Sequence, residues 1–290
     1  MHPPQIIKSN ALIEASYRLT PAEQRIMLAC IAQVRRDRPI TDEVLYSVSA
    51  ADIAKMTCSH SKTTYDELAK AALRLKRREV WLDERANGGG SHEETLVTGW
   101  VQSIRYRKHE GRVELRFTKD MLPYLTQLTE QFTRYALDDV AKMTSSHAIR
   151  LYELLAQWRG AGRREVEITW LREKFQLGDK YPAIKDFKRW VIEPAVKQIN
   201  EHSPLWVKWE QRKTGRRVTH LTFIFGEKAP KNPQKAVKKN SNGNAHAQGR
   251  GGSGAIYGIS RSVIEANARV GESYEDAALR LLEESKHSVR

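Results

Sequence analysis

Lys185, Lys188 and Arg189 crowd the first half of an amphipathic stretch running from about Pro182 to Asn200, with Lys180 and Tyr181 just before it. Ile184, Phe187, Val191, Ala195 and Ile199 recur at three- and four-residue steps. They therefore form one face of a helix and leave the cations on another. Side chains of this kind do recognition chemistry rather than bond-breaking. An ammonium or guanidinium neutralises a phosphate, and a guanidinium fork also fits guanine O6 and N7 together. In a helix-turn-helix, base edges are read mainly from the N-terminal part of the second helix, where these cations lie. The alternative is a plain solvated face.

Three further clusters have the same character. Gln211–Arg217 carries four cations in seven residues, Arg212, Lys213, Arg216 and Arg217, at a Thr214-Gly215 hairpin tip. That suits a phosphate clamp or a finger in a minor groove. An earlier stretch from about Lys62 to Arg78 has Tyr65, Leu68, Ala72 and Leu75 on its core side. Lys62, Lys70, Arg74 and Arg78 form a four-residue ridge that Asp66 interrupts. Arg107 and Lys108 stand at a second hairpin tip, a weaker version of the first. Five tryptophans, Trp158, Trp170, Trp190, Trp206 and Trp209, fall in the second half, where their places in patterned elements predict packing rather than base stacking.

The elements that must position these residues follow from start and stop signals. Thr20-Pro21-Ala22-Glu23 reads as a capped helix start, and the apolar stripe Ile26, Met27, Cys30, Ile31 and Val34 continues it. Residues 6–19 before it read as extended or loop-like. A short strand at 45–48, a helix at 50–56 capped by Ser49, a turn at 58–61, the helix 62–78 and a strand at 80–83 follow. A hairpin at 100–106 and 113–117 completes a helix-turn-helix with a β wing. The order then repeats. The helix 146–159, capped by Ser145 or Ser146, shows an apolar face of Ile149, Tyr152, Leu155 and Ala156, with Arg150, Glu153, Gln157 and Arg159 largely off it. A strand at 165–169, a helix at 170–176 capped by Thr169, the long helix and the hairpin 205–210/218–225 follow. AKMTCSH at 54–60 and AKMTSSH at 141–147 nearly repeat, but they fall at different places in the element order and do not mark a duplication.

The expected fold is therefore α+β, two tandem winged-helix domains at 1–128 and 129–227. A basic disordered linker at 228–255, with six cations and no acid up to Arg250, and a short helical tail at 256–290 come after them.

The chain has 290 residues, with 49 Lys and Arg against 35 Asp and Glu, so its net charge of +14 calls for a polyanionic partner. No stretch reaches the ~20 apolar residues of a membrane span, so no membrane partner is expected. MHPPQIIKSN has no apolar signal-peptide core, and two cysteines make no disulfide framework; a cytoplasmic setting is expected. No G-x-x-x-x-G-K-[ST] loop, H-x-H or H-E-x-x-H pair occurs, so no enzyme activity, cofactor, metal site or catalytic residue is expected.

Three segments carry a resemblance: IIKSNALIEASYRLTPAEQRIMLACIAQV, RYALDDVAKMTSSHAIRLYELLAQW, and YPAIKDFKRWVIEPAVKQINEHSPLWVKWEQRKTGRRVTHLTFIF. Over about residues 5–226 the chain resembles the iteron-binding initiators of theta-replicating plasmids. The resemblance implies two winged helices that bind one double-stranded DNA repeat in adjacent major grooves. It implies monomers that bind origin iterons and start opening, and dimers, often joined through the first domain, that bind the operator and repress the initiator's own promoter. It also implies recruitment of the host initiator, helicase and loader, with no ATPase or nuclease of its own. Lys185, Lys188 and Arg189 fall where the family's second recognition helix meets DNA, and the helix after Ser61 takes the matching place in the first domain. The competing reading is a winged-helix transcription regulator without initiator activity.

Overall fold

The computed structural model describes residues 3–35, 40–57, 65–83, 85–88 and 94–229, the residue pairs 255–256 and 259–260, and residue 280. Residues 1–230 form one compact unit and residues 231–290 another. Residues 6–19, expected as extended or loop-like, are extended at their start in strand β1 (Gln5–Ser9), then make a single helical turn, α1 (Asn10–Glu14), and are irregular over 17–19. The Ser9 hydroxyl accepts from the Leu12 N–H at 3.1 Å and so converts strand into helix. Helix α2 (Pro21–Ile31) begins as its sequence dictates. Thr20 Oγ1 accepts from the Glu23 N–H at 3.3 Å, and the Glu23 carboxylate accepts from the Thr20 N–H at 2.9 Å.

The first winged helix continues through β2 (Tyr46–Ser49), α3 (Ala50–Thr57), α4 (Tyr65–Lys76) and the hairpin β3 (Glu79–Leu82)–β4 (Leu96–Gly99). Its wing is β5 (Val101–Arg107) against β6 (Arg112–Phe117), and the sheet order is β2-β6-β5, all antiparallel. Strand β7 (Phe132–Ala136) and α5 (Asp138–Ala141) lead into α6 (Ser146–Ala156). Ser145 is the cap of α6, its hydroxyl accepting from Ala148 N–H. The second winged helix adds β8 (Arg163–Glu167), α7 (Ile168–Lys174), a helix in three parts, and β9 (Leu205–Thr214) with β10 (Arg217–Glu227); here the sheet order is β8-β10-β9. Glu167, not Thr169, stands at the cap position of α7 and accepts from the Thr169 hydroxyl at 2.5 Å.

Strand β1 pairs antiparallel with β7 along its whole length, Gln5 opposite Ala136 and Ser9 opposite Phe132. The N-terminal strand thus crosses the boundary expected at 128/129 and binds the entry to the second half. Arg150 and Glu153 lie off the expected apolar face of α6 yet are buried, since every residue from Ala148 to Ala156 is buried. The reason is a long-range ion network. Glu153 accepts from Lys8 Nζ at 2.6 Å, from the Tyr135 hydroxyl at 2.5 Å and from Tyr17 at 3.4 Å, and Arg150 lies 3.7 Å away. Burial raises the Glu153 pKa, but Lys8 and Arg150 outweigh it and hold the carboxyl below its ordinary range. Burial and then Glu153 push the Tyr135 phenol far up, so it stays a donor. Arg150 also donates to the Ile13 and Ala15 carbonyls at 2.9 and 2.7 Å and stacks 3.7 Å over the Tyr17 ring. Apart from Arg150 Nε, which is buried without a hydrogen-bond partner, the charged groups here are paired, which is what lets a helix core carry charge.

The turn after α1 grips the second half as well. Ser16 Oγ donates to the Glu173 carbonyl, Gln176 Nε2 to the Ser16 carbonyl, and Lys174 Nζ reaches Asp83 at 2.5 Å. Both winged helices therefore share one continuous apolar core, from Ile6 and Trp100 to Phe187 and Phe223. The expected linker beyond 229 lies almost wholly outside the described residues, and so do most of the expected tail helices. Within the second unit the backbone of Ala255–Ile256 pairs antiparallel with Ile259–Ser260, strand where a helical tail was expected to begin. Gly254 and Gly258 disfavour a helix there.

Candidate nucleic-acid interface

The long helix expected at 182–200 has its apolar stripe and one break. It runs as α8 (Ile184–Phe187), a π-helical turn Lys188–Ile192, and α9 (Glu193–His202). Pro194 has no N–H to give the Trp190 carbonyl, and its ring crowds that oxygen, so the ladder widens one turn earlier. Phe187, Val191, Ala195 and Ile199 are buried against the core and Ile184 is half-buried. Lys185 and Arg189 are exposed on the opposite side. Lys188 turns toward the wing: its Nζ donates to Gln211 Oε1 at 2.9 Å and lies 6.0 Å from the centre of the Trp209 ring.

The turn before this helix is held from behind. Arg172 donates to the Lys180 and Tyr181 carbonyls, both at 2.7 Å. Tyr181 adopts φ 55°, left-handed for a bulky residue, and its side chain packs on the core. Of this pair Lys180 is the exposed cation and Tyr181 the structural one. The second wing folds back through Gly215, whose φ of 62° suits a two-residue hairpin loop between Thr214 and Arg217. Arg212 is anchored to Glu165 at 3.0 Å. Lys213, Arg216 and Arg217 are exposed at the tip with no acidic partner among the described residues.

The first half presents its cations differently. Leu68, Ala72 and Leu75 are buried as expected, joined by Ala71, and Lys70 is exposed. Arg74 and Arg78 are not free: their Nε atoms donate to the two oxygens of buried Glu23 at 3.0 and 3.1 Å. Burial raises the Glu23 pKa, and the Thr20 N–H with Arg78 and Arg74 more than reverses that, leaving it below its ordinary value. Both guanidiniums keep an outer surface, with Arg74 49% and Arg78 36% exposed. Lys62 lies outside the described residues. The first wing is largely self-neutralised, since Arg105 and Arg107 share Glu114 at 3.9 and 3.3 Å. Lys108 stands exposed in the 3-10 turn Lys108–Glu110.

Counting every fourth residue missed part of this face. Leu73 and Lys76 of α4 and Arg77 in the turn after it are also exposed, and Lys70, Leu73 and Arg77 line one side at steps of three and four. The packing expected for the tryptophans holds for Trp170 and Trp209, which are half-buried. Trp158, Trp190 and Trp206 are exposed at 46, 55 and 38%. Trp158 and Trp170 both lie near the Arg164 guanidinium, 5.6 and 5.4 Å from ring centre to Cζ.

Among the described residues no cluster of three His, Cys, Asp or Glu could hold a metal ion, and no helix is long and apolar enough to cross a membrane. The arrangement is two helix-turn-helix units with cationic outer faces, each beside a hairpin wing, fixed to one core.

Two family models match the chain: Initiator Replication protein, WH1, over residues 5–156, and Initiator Rep protein, WH2, over residues 167–225. A replication initiation protein of Escherichia coli is 28% identical over 228 residues, which is 75% of this chain and 68% of the relative. An uncharacterized 27.6 kDa protein of Escherichia coli is 27% identical over 239 residues, 79% of this chain and 96% of the relative. Among solved structures, the crystal structure of Pi initiator protein in complex with iteron DNA superposes with a TM-score of 0.64 at 20% identity. It covers 78% of this chain and 98% of that one, and it shows the shared fold.

Proposed function

Because the chain belongs to the plasmid replication initiator family with paired WH1 and WH2 domains, we propose that it binds direct repeats, iterons, at a plasmid origin. A monomer covers one repeat, with residues 1–128 and 129–227 as its two DNA-binding halves, and promotes opening of the origin in the cytoplasm. It then recruits the host initiator, helicase and loader, and as a dimer it represses its own promoter. The observation that carries this reading is the fixed joint between the halves. Lys8, Tyr135, Arg150 and Glu153 tie β1, β7 and α6 together, so α4 and the α8–α9 helix are presented by one rigid body. Two recognition helices held in register suit two successive major grooves about 34 Å apart.

Contact falls to Lys70, Leu73 and Arg77 with the outer surfaces of Arg74 and Arg78 in the first half, joined by Lys62, Arg107 and Lys108. In the second half it falls to Lys180, Lys185 and Arg189, and to the wing cations Lys213, Arg216 and Arg217. Lys188, Tyr181 and Arg212 act mainly by holding the helix, turn and wing in place. The dimer contact belongs to the first half, because two cationic DNA faces repel. The β3–β4 hairpin supports this: Trp81 and Val97, a cross-strand pair, are 45 and 44% exposed.

The test is binding of the full chain to duplexes carrying tandem direct repeats or one inverted repeat, with reactivity of unpaired thymines to permanganate as the readout of opening. Binding of several tandem copies with opening beside them is expected. Binding of one inverted site with no opening would make the chain a transcription regulator instead. Trp81→Glu should give a monomer that still binds a single repeat, and a variant that remains dimeric would remove the hairpin from the interface.

A further inference from the structure

Trp190 is the most exposed large apolar side chain among the described residues, at 55%, and it sits in the middle of the second recognition helix. Neither the core nor the wing claims it, unlike Trp209 on β9, which Lys188 approaches. Its close companion is Arg189, whose guanidinium carbon lies 5.1 Å from the centre of the indole ring. The π turn ending ahead of Pro194 is where both residues stand, side by side and outward.

From this geometry we infer that Trp190 is a positioning residue for Arg189. It holds the guanidinium plane on the face of the indole, so that the fork reaches a base edge already oriented. The inference rests on the DNA-binding reading above and adds to it how one base is read. An arginine on an exposed four-bond side chain spreads over many rotamers, and a bidentate contact with guanine O6 and N7 needs one of them. Stacking on an aromatic face restricts that spread before the DNA arrives, so less freedom is lost on binding. No acidic side chain performs this task for Arg189 among the described residues, whereas Arg74, Arg78, Arg107 and Arg212 are each oriented by a carboxylate.

The experiment uses the full chain and a duplex that the full chain recovers from a random-sequence pool. Affinity for that duplex and for an unrelated duplex of the same length is measured at one salt concentration for Arg189→Ala, Trp190→Ala, Trp190→Phe and the Arg189→Ala/Trp190→Ala pair. An exposed arginine–indole contact corresponds to about two- to fivefold in affinity. Trp190→Ala should lose that much on the recovered duplex and nothing on the unrelated one. Trp190→Phe, which keeps a ring, should recover most of the loss. The double variant should bind no more weakly than Arg189→Ala alone. Replacing the recovered guanines one at a time by 7-deazaguanine, which lacks N7, should weaken the parent chain at one position, weaken Trp190→Ala there by less, and hardly affect Arg189→Ala there. Losses that add in the double variant, or a Trp190→Ala loss that is equal on both duplexes, would overturn the inference while leaving the DNA-binding reading standing. Failure of the parent chain to enrich any sequence would overturn both.

Discussion

Replacing Glu153 by glutamine should destabilise the fold by about 3–5 kcal/mol, the range found when one partner of a buried ion pair is removed. The structure places the substitution at the upper part of that range. The carboxylate is wholly buried and serves Lys8 at 2.6 Å, Tyr135 at 2.5 Å and Tyr17 at 3.4 Å, with Arg150 at 3.7 Å. Glutamine keeps the shape but loses the charge, and it turns an NH2 donor toward at least one of these donors. Lys8, only 3% exposed, is left with no carboxylate. Lys8→Met should be milder, because Glu153 still has Arg150 and two hydroxyls. The pair Lys8→Met/Glu153→Gln should lose less than the sum of the singles by about 1–3 kcal/mol, since the two side chains share one interaction. Urea unfolding of the full chain, with the four proteins compared at neutral pH, measures all of this. Amide exchange should rise first in Gln5–Ser9 and Phe132–Ala136, whose pairing the network backs. A loss below about 1 kcal/mol for Glu153→Gln, or strict additivity in the pair, would refute the claim that this network fastens the two halves.

The second wing should act through phosphates: Arg216→Ala/Arg217→Ala is expected to lower the salt slope of binding by about two on any sequence, because neither cation has an acidic partner among the described residues. Arg212→Ala should change the slope by less than one, since Glu165 already offsets its charge; an unchanged slope in the double variant would mean the tip does not touch the backbone. His147, stacked on Phe175, is pushed down to about 4 by burial and then by Arg18, Arg150 and Lys180. A lowered imidazole pKa means that the unfolded chain takes up the proton first. Stability is thus complete above about pH 6.5 and falls as the pH drops toward 4. The loss should be about 2 kcal/mol between pH 6.5 and about pH 5, and His147→Gln should abolish that slope. Ending the chain after Gly226 should weaken the fold, because Glu227 pairs with Leu205 and the Lys228 ammonium donates to the Asn200 and Ser203 carbonyls at the end of α9. Ending it after Ala229 should not, and equal unfolding midpoints for the two truncations would show that this cap contributes nothing.

The winged-helix order, the Thr20 capping box, the two hairpins and the apolar stripe of the second recognition helix were legible because each is written in local spacing. The rest depends on partners distant in sequence. Glu153 and Lys8 are 145 residues apart, so nothing near Glu153 marks it as buried, and an i, i+4 count places it harmlessly off the apolar face. Arg74 and Arg78 look like a free cationic ridge until Glu23 of α2 packs against them. Trp190 looked like core because aromatics in patterned helices usually are. Its exposure follows from its place outside the stripe Phe187, Val191 and Ala195, and Pro194 could have signalled that the helix is irregular there. Strand β1 is legible only as extended or loop-like, because five residues ending in a serine and followed by an asparagine carry too little pattern to distinguish strand from loop.

The most direct test of the account is the stoichiometry and footprint of the full chain on a duplex bearing one copy of its recovered site. One chain should bind one copy, and its protection should extend over two successive major grooves on the same face, roughly two helical turns. Arg189→Ala and a change at Lys70 or Arg77 should each erase protection in a different groove. Two chains on one copy with two-fold symmetric protection, or protection of a single groove lost entirely with Arg189→Ala, would contradict the claim that both recognition helices of one chain read one repeat.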